Sequence, residues 1–227
     1  MNYVRKSEHR GAVNFGWLDS KHSFSFGSYY DPAHIGISAL RVINDDVIAP
    51  SMGFDTHGHE DMEIITYVTE GALKHKDTLG NSFVVEAGEV QRMTAGTGIK
   101  HSEFNHSVDE AVKLLQIWVL PAQKGLTPGY EQARVEQDGP LTPLVTPDGR
   151  SGSLMMHQDA SLSRLVLQPG EQYYLDTAST GYLHIVRGTA DINGNAFTNG
   201  DAIGVSAGDD LTVIAQESLE ALWFDLP

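Results

Sequence analysis

A strongly β-prone run that closes on glycine occurs twice in this 227-residue chain, as Ile64-Ile65-Thr66-Tyr67-Val68-Thr69-Glu70-Gly71 and as Leu183-His184-Ile185-Val186-Arg187-Gly188. The echo extends to both sides. Val47-Ile48-Ala49-Pro50 is answered by Leu165-Val166-Leu167-Gln168-Pro169-Gly170, Gly80-Asn81 by Asn193-Gly194, and Ala87-Gly88-Glu89 by Asn199-Gly200-Asp201. A chain that repeats strand and turn at this tempo folds as two like units, each an antiparallel barrel or sandwich. With 23 Gly, 9 Pro and no sustained run of helix-period apolar residues, an all-β fold is expected. Between the copies, residues 121–150 carry Pro121, Pro128-Gly129, Gly139-Pro140, Pro143 and Pro147-Asp148-Gly149, which read as a linker or an exchanged arm. The expected domains are 1–132 and 133–227.

The first copy holds two histidine-bearing pairs of equal spacing, His57-Gly58-His59 and His101-Ser102-Glu103. Side chains two apart on a strand point to the same face, so the four side chains can converge if the two segments lie side by side. Three imidazoles and a carboxylate suit Fe, Mn, Co, Ni, Cu or Zn rather than the all-oxygen cages of Ca or Mg, and they leave coordination positions open for substrate or dioxygen. Glu63 shares the strand parity of His57 and His59 and is a rival source of the carboxylate. Glu103 is favoured because it travels with His101 on one short segment, which leaves Glu63 to orient a ligand or a water. Counting from the paired glycines Gly88 and Gly200 puts Val213 and Ala215 where the first copy has His101 and Glu103. Counting back from Gly71 and Gly188 puts Tyr174 and Asp176 near His57 and His59. The second copy is therefore expected to keep the scaffold without the ligands, and His157 and His184 read as ordinary histidines.

Upstream, Phe24 and Phe26 are expected to share a strand face with His22, either as core or as the wall of a ligand pocket. Residues 37–48 read as a strand, a turn at Asn44-Asp45-Asp46 and the start of another strand. The formal net charge of −15, from 30 acidic against 15 basic side chains, argues against direct binding of nucleic acid or an anionic membrane. With no cysteine there are no disulfides and no thiolate ligands. The N-terminus lacks the apolar core of a signal peptide and no stretch reaches the length of a membrane span, so a cytoplasmic protein is expected, as a monomer or weak dimer.

Several of these motifs together resemble the pirin family of the cupin superfamily, in its short bacterial form. They are Gly16-Trp17-Leu18-Asp19-Ser20 with His22-Ser23-Phe24-Ser25-Phe26, Arg41-Val42-Ile43-Asn44-Asp45-Asp46, His57 and His59 followed by Asp61-Met62-Glu63, and Ala95-Gly96-Thr97-Gly98-Ile99 running into His101 and Glu103. The resemblance is dense from residue 3 to about 120. It implies a bicupin with one metal in the N-terminal domain, held by His57, His59, His101 and Glu103, and none in the C-terminal one. It also implies Fe(II) as the usual ion, other divalent ions being tolerated, and oxidative cleavage of quercetin-like flavonols by dioxygen. In such a reaction Glu103 is the expected base for the substrate hydroxyl, and Phe24, Phe26 and Phe54 could stack on a flat substrate. Gly58 stands where relatives often carry proline, which loosens the loop between the first two ligands. The alternative is a metal-dependent redox sensor acting through a protein partner, since the same four ligands serve both.

Overall fold

The computed structural model describes residues 3–227 and divides them into two compact units. One comprises residues 11–135 together with 154–158. The other takes the chain up to Arg10, residues 136–153 and everything from Asp159 onward. Both are antiparallel two-sheet sandwiches of the jelly-roll type, so the fold is the expected all-β bicupin.

The first unit contains β2 (Gly11–Asn14), β3 (Leu18–His22), β4 (Leu40–Ile48), β5 (Gly53–His59), β6 (Glu63–Glu70), β7 (Ala72–Asp77), β8 (Ser82–Glu86), β9 (Glu89–Thr94), β10 (Ile99–Asn105), β11 (Val112–Val119), β12 (Gly129–Arg134) and the short β14 (Leu154–Met155). One sheet runs β12-β9-β6-β11-β4-β3-β2 and faces a second that runs β5-β10-β7-β8. The second unit contains β1 (Tyr3–Arg5), β13 (Leu141–Thr146), β15 (Ser161–Leu167), β16 (Gln172–Leu175), β17 (Thr180–Arg187), β18 (Ala190–Ile192), β19 (Asn195–Phe197), β20 (Ala202–Ser206), β21 (Leu211–Ala215) and β22 (Leu219–Leu226). Its sheets run β1-β20-β17-β22-β15-β13 and β16-β21-β18-β19.

Each sandwich closes on its own apolar centre. Ile48, Val68, Leu73, Val85, Val112 and Leu114 fill one end of the first unit, and Ile64, Met93, Ala95 and Ile99 pack nearer the β5 end. In the second unit the corresponding volume is filled by aliphatics around Trp223 and Phe197. The echo seen in sequence is an echo in pairing. β5 lies against β10 with His57 opposite His101, and β16 lies against β21 with Tyr173 opposite Val213. Val213 thus holds the place counted for His101, while the partner is Tyr173, one residue from the count.

Two local expectations fail. Asn44-Asp45-Asp46 is no turn, because β4 runs unbroken through it, with Asn44 opposite Gln116 and Asp46 opposite Leu114 on β11. Both side chains are buried, so pairing on each side of the strand overrides their turn preference. Phe24 and Phe26 lie beyond the end of β3 at His22, and Phe26 makes an isolated bridge to Tyr29. Among the described residues no helix is long and apolar enough to cross a membrane.

Candidate metal centre

His57 and His59 sit on β5 and His101 on its neighbour β10, all on the face that looks into the sandwich. The Nε2 atom of His101 lies 3.0 Å from Nε2 of His59 and 3.0 Å from Nε2 of His57. Hydrogen bonding accounts poorly for three imidazole nitrogens gathered this closely. Nδ1 of His57 lies 2.7 Å from the Asp55 carbonyl and donates its proton there, which leaves Nε2 as the end that faces His101. Burial, reinforced by the neighbouring imidazoles, pushes the His101 ring down to about 3 and the His59 ring down to about 4. The His59 and His101 rings therefore offer lone pairs, as a metal ligand must.

The spacing also fits an ion. Two nitrogens each about 2.1 Å from a cation stand about 3.0 Å apart at a right angle and about 3.4 Å apart at a tetrahedral angle. The observed 3.0 Å separations lie at the short end of this range, so one ion could be reached by His101 together with His57 and His59.

Glu103 follows His101 by two residues, across an irregularity in the β5–β10 register. A Cβ on Gly53 of β5 would run into the Glu103 carbonyl and Phe104 Cα, so only glycine allows the strands to approach so closely there. The Glu103 carboxylate is buried and held at both oxygens. Gln116 Nε2 donates to Oε2 at 2.7 Å, while Gln91 Nε2 at 3.3 Å and Thr66 Oγ1 at 3.4 Å point at Oε1. Gln91 is itself anchored, donating to Thr66 Oγ1 at 2.9 Å and accepting from the Tyr130 hydroxyl at 3.0 Å. Burial and the nearby Glu103 charge both raise Tyr130, which stays a neutral donor. The potential ligand atoms fall into two overlapping groups, His57, His59 and His101 in one, and His75, His101 and Glu103 in the other. The four residues named from sequence all line one pocket, with His101 common to both groups.

His75 is the participant that sequence reasoning passed over. It lies opposite Glu103 in the β7–β10 register, is fully buried, and donates from Nε2 to Asp77 Oδ2 at 3.1 Å. Asp77 is braced by Leu79 N, Asn81 N and Asn81 Nδ2. Burial works against its charge, but the hydrogen bonds from Asn81, His75 and Leu79 outweigh it and hold the carboxyl low. The alternation of Leu73, His75 and Asp77 on a strand carried the signal. Glu63, by contrast, turns away from the imidazoles. Asp61 takes a positive φ of 48° between β5 and β6, which breaks the parity on which its candidacy rested. Glu63 is buried against Thr94 at 3.0 Å and His157 at 3.3 Å, with Arg92 at 3.9 Å, and burial raises its carboxyl.

The pocket above the imidazoles has a volume of about 240 Å³. Phe26, Phe54, Ile64 and Trp118 supply its apolar wall, and Phe24 packs elsewhere in the core. Trp118 meets the rings of Phe26 at 5.2 Å and His59 at 5.0 Å edge-on, so the wall is fixed against the centre. Asn44, Asp46 and Gln116 form a polar wall. Asp46 is 2% exposed, and burial, with help from the neighbouring charges of Asp45 and Glu103, raises its carboxyl to about 7 against the weaker pull of Ser20.

The pirin family model matches residues 3–119, and a model described as the quercetinase C-terminal cupin domain matches residues 143–226. The chain belongs to the pirin family. It is 47% identical to the quercetin 2,3-dioxygenase of Escherichia coli K12 over 100% of this chain and 99% of that protein. Two crystal structures of YhhW from E. coli superpose with TM-scores of 0.97 and 0.96 at 47% identity. They cover all of this chain and 98% and 99% of theirs, and the second is a bacterial pirin in complex with nickel(II). At 15% identity, vicilin from hazelnut shares the fold alone, with a TM-score of 0.73. The imidazole cluster and the adjoining carboxylate are groups that could hold a metal ion.

Proposed function

We propose that this pirin is an Fe(II)-dependent dioxygenase that cleaves quercetin-like flavonols at the site between β5 and β10, with His57, His59, His101 and Glu103 as the metal ligands and Glu103 as the base. The observation that carries the reading is the convergence of three imidazoles, with His101 Nε2 3.0 Å from Nε2 of both His57 and His59, on a pocket that also holds a buried carboxylate and a flat aromatic wall. The name and full-length similarity of the E. coli relative support the same substrate class. The N-terminal unit would carry the chemistry, in a protein of the cytoplasm that works as a monomer or weak dimer.

When bound, the metal supplies Lewis-acid polarisation of the substrate oxygen and the redox capacity that dioxygen chemistry needs. The protein's own part begins with orientation. Phe26, Phe54 and Trp118 hold a planar ring system and keep water from the reacting face. Glu103 receives the proton of the flavonol hydroxyl at a carboxylate oxygen. Gln116 and Gln91 hold that carboxylate in place through their amide N–H groups. In the overall reaction both atoms of dioxygen enter the flavonol and one ring carbon leaves as carbon monoxide.

The test is anaerobic reconstitution with Fe(II), followed by oxygen uptake and carbon monoxide release on adding quercetin. Metal-free protein and Glu103→Gln serve as comparisons. The Gln variant is expected to keep some metal and lose roughly 10²–10⁴-fold in turnover, because an amide cannot take the proton. Unchanged turnover in that variant would remove Glu103 as the base. A tightly bound metal with no oxygen uptake would favour the redox-sensor reading instead.

A further inference from the structure

Tyr130 and Gln132 stand two apart on β12 and share a face, and Gln132 lies directly opposite Gln91 on β9, so the strands bring the three side chains together. A tyrosine hydroxyl has one proton to give, and that of Tyr130 faces two carbonyl oxygens. It lies 3.0 Å from Gln91 Oε1 and 2.9 Å from Gln132 Oε1. Both amide orientations follow from their other partners. Gln132 Nε2 donates to the Val84 carbonyl at 2.8 Å and to the Glu89 carboxylate at 2.9 Å, which leaves its oxygen for Tyr130. Gln91 Nε2 donates to Thr66 Oγ1 at 2.9 Å and points at Glu103 Oε1 at 3.3 Å, so its oxygen is also turned to Tyr130. The ring that carries the hydroxyl is stacked on Phe83 at 5.4 Å and packed against His75 at 4.6 Å.

The direction of that one proton decides what Glu103 meets. Aimed at Gln91, it satisfies the amide oxygen and keeps the amide nitrogen on Glu103. Aimed at Gln132, it leaves the Tyr130 and Gln91 oxygens 3.0 Å apart with no hydrogen between them, a repulsion that Gln91 relieves by turning its amide over. The turned amide donates to the Tyr130 oxygen and presents Oε1 to Glu103. Against a carboxylate that sets two acceptors face to face, whereas against a carboxylic acid it accepts the acid's O–H.

We propose that Tyr130 is a positioning residue for the base: its hydroxyl holds the Gln91 amide nitrogen toward Glu103 while that carboxylate is charged, and lets the amide turn once Glu103 has taken the substrate proton. This rests on the dioxygenase reading, in which the flavonol O–H bond breaks and an O–H bond forms on Glu103 Oε1, Oε2 being held by Gln116 at 2.7 Å. Gln91 then has a partner at both ends before and after the transfer, so neither state strands a buried polar group. Thr66 follows either orientation, because a hydroxyl both donates and accepts.

The experiment compares full-length wild type, Tyr130→Phe and Gln132→Met. Tyr130→Phe keeps the ring on Phe83 and His75 and removes the hydroxyl. The Gln91 amide is read by nitrogen–proton NMR of isotope-labelled, Zn(II)-loaded protein, its signals assigned by their loss in Gln91→Met. Wild type should give one set of amide signals, and Tyr130→Phe two sets or one broadened by exchange. Gln132→Met leaves the Tyr130 proton with Gln91 and should keep the wild-type set. With Fe(II)-loaded protein and quercetin, Tyr130→Phe should lower kcat roughly tenfold and leave KM within about twofold. An unchanged amide in Tyr130→Phe overturns the proposal whatever the turnover, and wild-type turnover beside it leaves the dioxygenase reading standing. Altered amides in both variants, which would trace to a loosened β12, also overturn it, as does an unchanged kcat beside an altered amide in Tyr130→Phe. The expected amide signals with no turnover in any of the proteins uphold Tyr130 as the residue that sets the amide and refute the dioxygenase reading.

Discussion

Asp46 offers a test of the pocket's electrostatics that needs no substrate. Its carboxyl is raised from an ordinary 3.8 to about 7, chiefly by burial. A group whose folded pKa exceeds its unfolded value binds more protons in the folded state between the two, so stability falls as pH rises through that window. The penalty is absent below about pH 4 and complete above about pH 7. Three pKa units at about 1.36 kcal/mol each set its upper size at about 4 kcal/mol. Asp46→Asn keeps the shape and removes the titration. Relative to wild type, the variant should be near neutral at pH 4.5 and more stable by roughly 2–4 kcal/mol at pH 8, measured by urea denaturation of metal-stripped protein. His59 and His101 act in the opposite sense, since rings lowered to about 4 and 3 add stability as pH rises towards 6.5, but both proteins contain them and they cancel in the difference. Infrared difference spectra should show a protonated carboxyl at pH 6 that the variant lacks. Parallel stability curves from pH 4.5 to 8, or no such band, would refute the assignment of a neutral acid in the pocket wall. Binding a divalent cation should shrink the gain at pH 8, because its charge favours the carboxylate.

Other perturbations probe the scaffold around the imidazoles. Replacing His101 by Ala removes the nitrogen shared by both short separations, and metal content after dialysis should correspond to an affinity loss of more than a hundredfold; full occupancy would take His101 out of the coordination shell. Gly53→Ala forces a methyl group against the backbone of Glu103 and Phe104, so it should cost about 1–3 kcal/mol in denaturation and weaken metal retention as β5 and β10 separate. Normal stability with normal metal uptake would show that the strands can part without disturbing the centre.

The residues most legible in the sequence were those that obey strand parity on both members of a pair. His57 and His59 share a face because they stand two positions apart on a strand, His101 and Glu103 do so for the same reason, and the glycine-bounded repeat placed both segments in a like frame. Parity fails wherever the backbone leaves the strand. Asp61 does so at positive φ, which carries Glu63 towards Thr94 and His157 instead of the imidazoles. Phe24 and Phe26 lie past the end of β3 and diverge, one into the core and the other onto the pocket wall. His75 was within reach of the same rule, but a lone histidine on a strand says nothing until the register sets it opposite Glu103.

Asn44-Asp45-Asp46 is the more instructive failure, because the local rule was sound and the site overrode it. Three residues that favour turns stand in the middle of a nine-residue strand flanked by Val42, Ile43, Val47 and Ile48. A strand interior tolerates such residues when neighbours on both sides hold the backbone and something outside local structure rewards the side chains. β3 and β11 hold the backbone here, and Asn44 and Asp46 face the pocket shared with His57, His59 and His101. A turn-like triplet inside an otherwise β-branched run therefore marks a candidate binding wall as directly as the paired histidines mark a metal. The two signals lie on opposite sheets of the same sandwich, and the pocket is the space that both of them face.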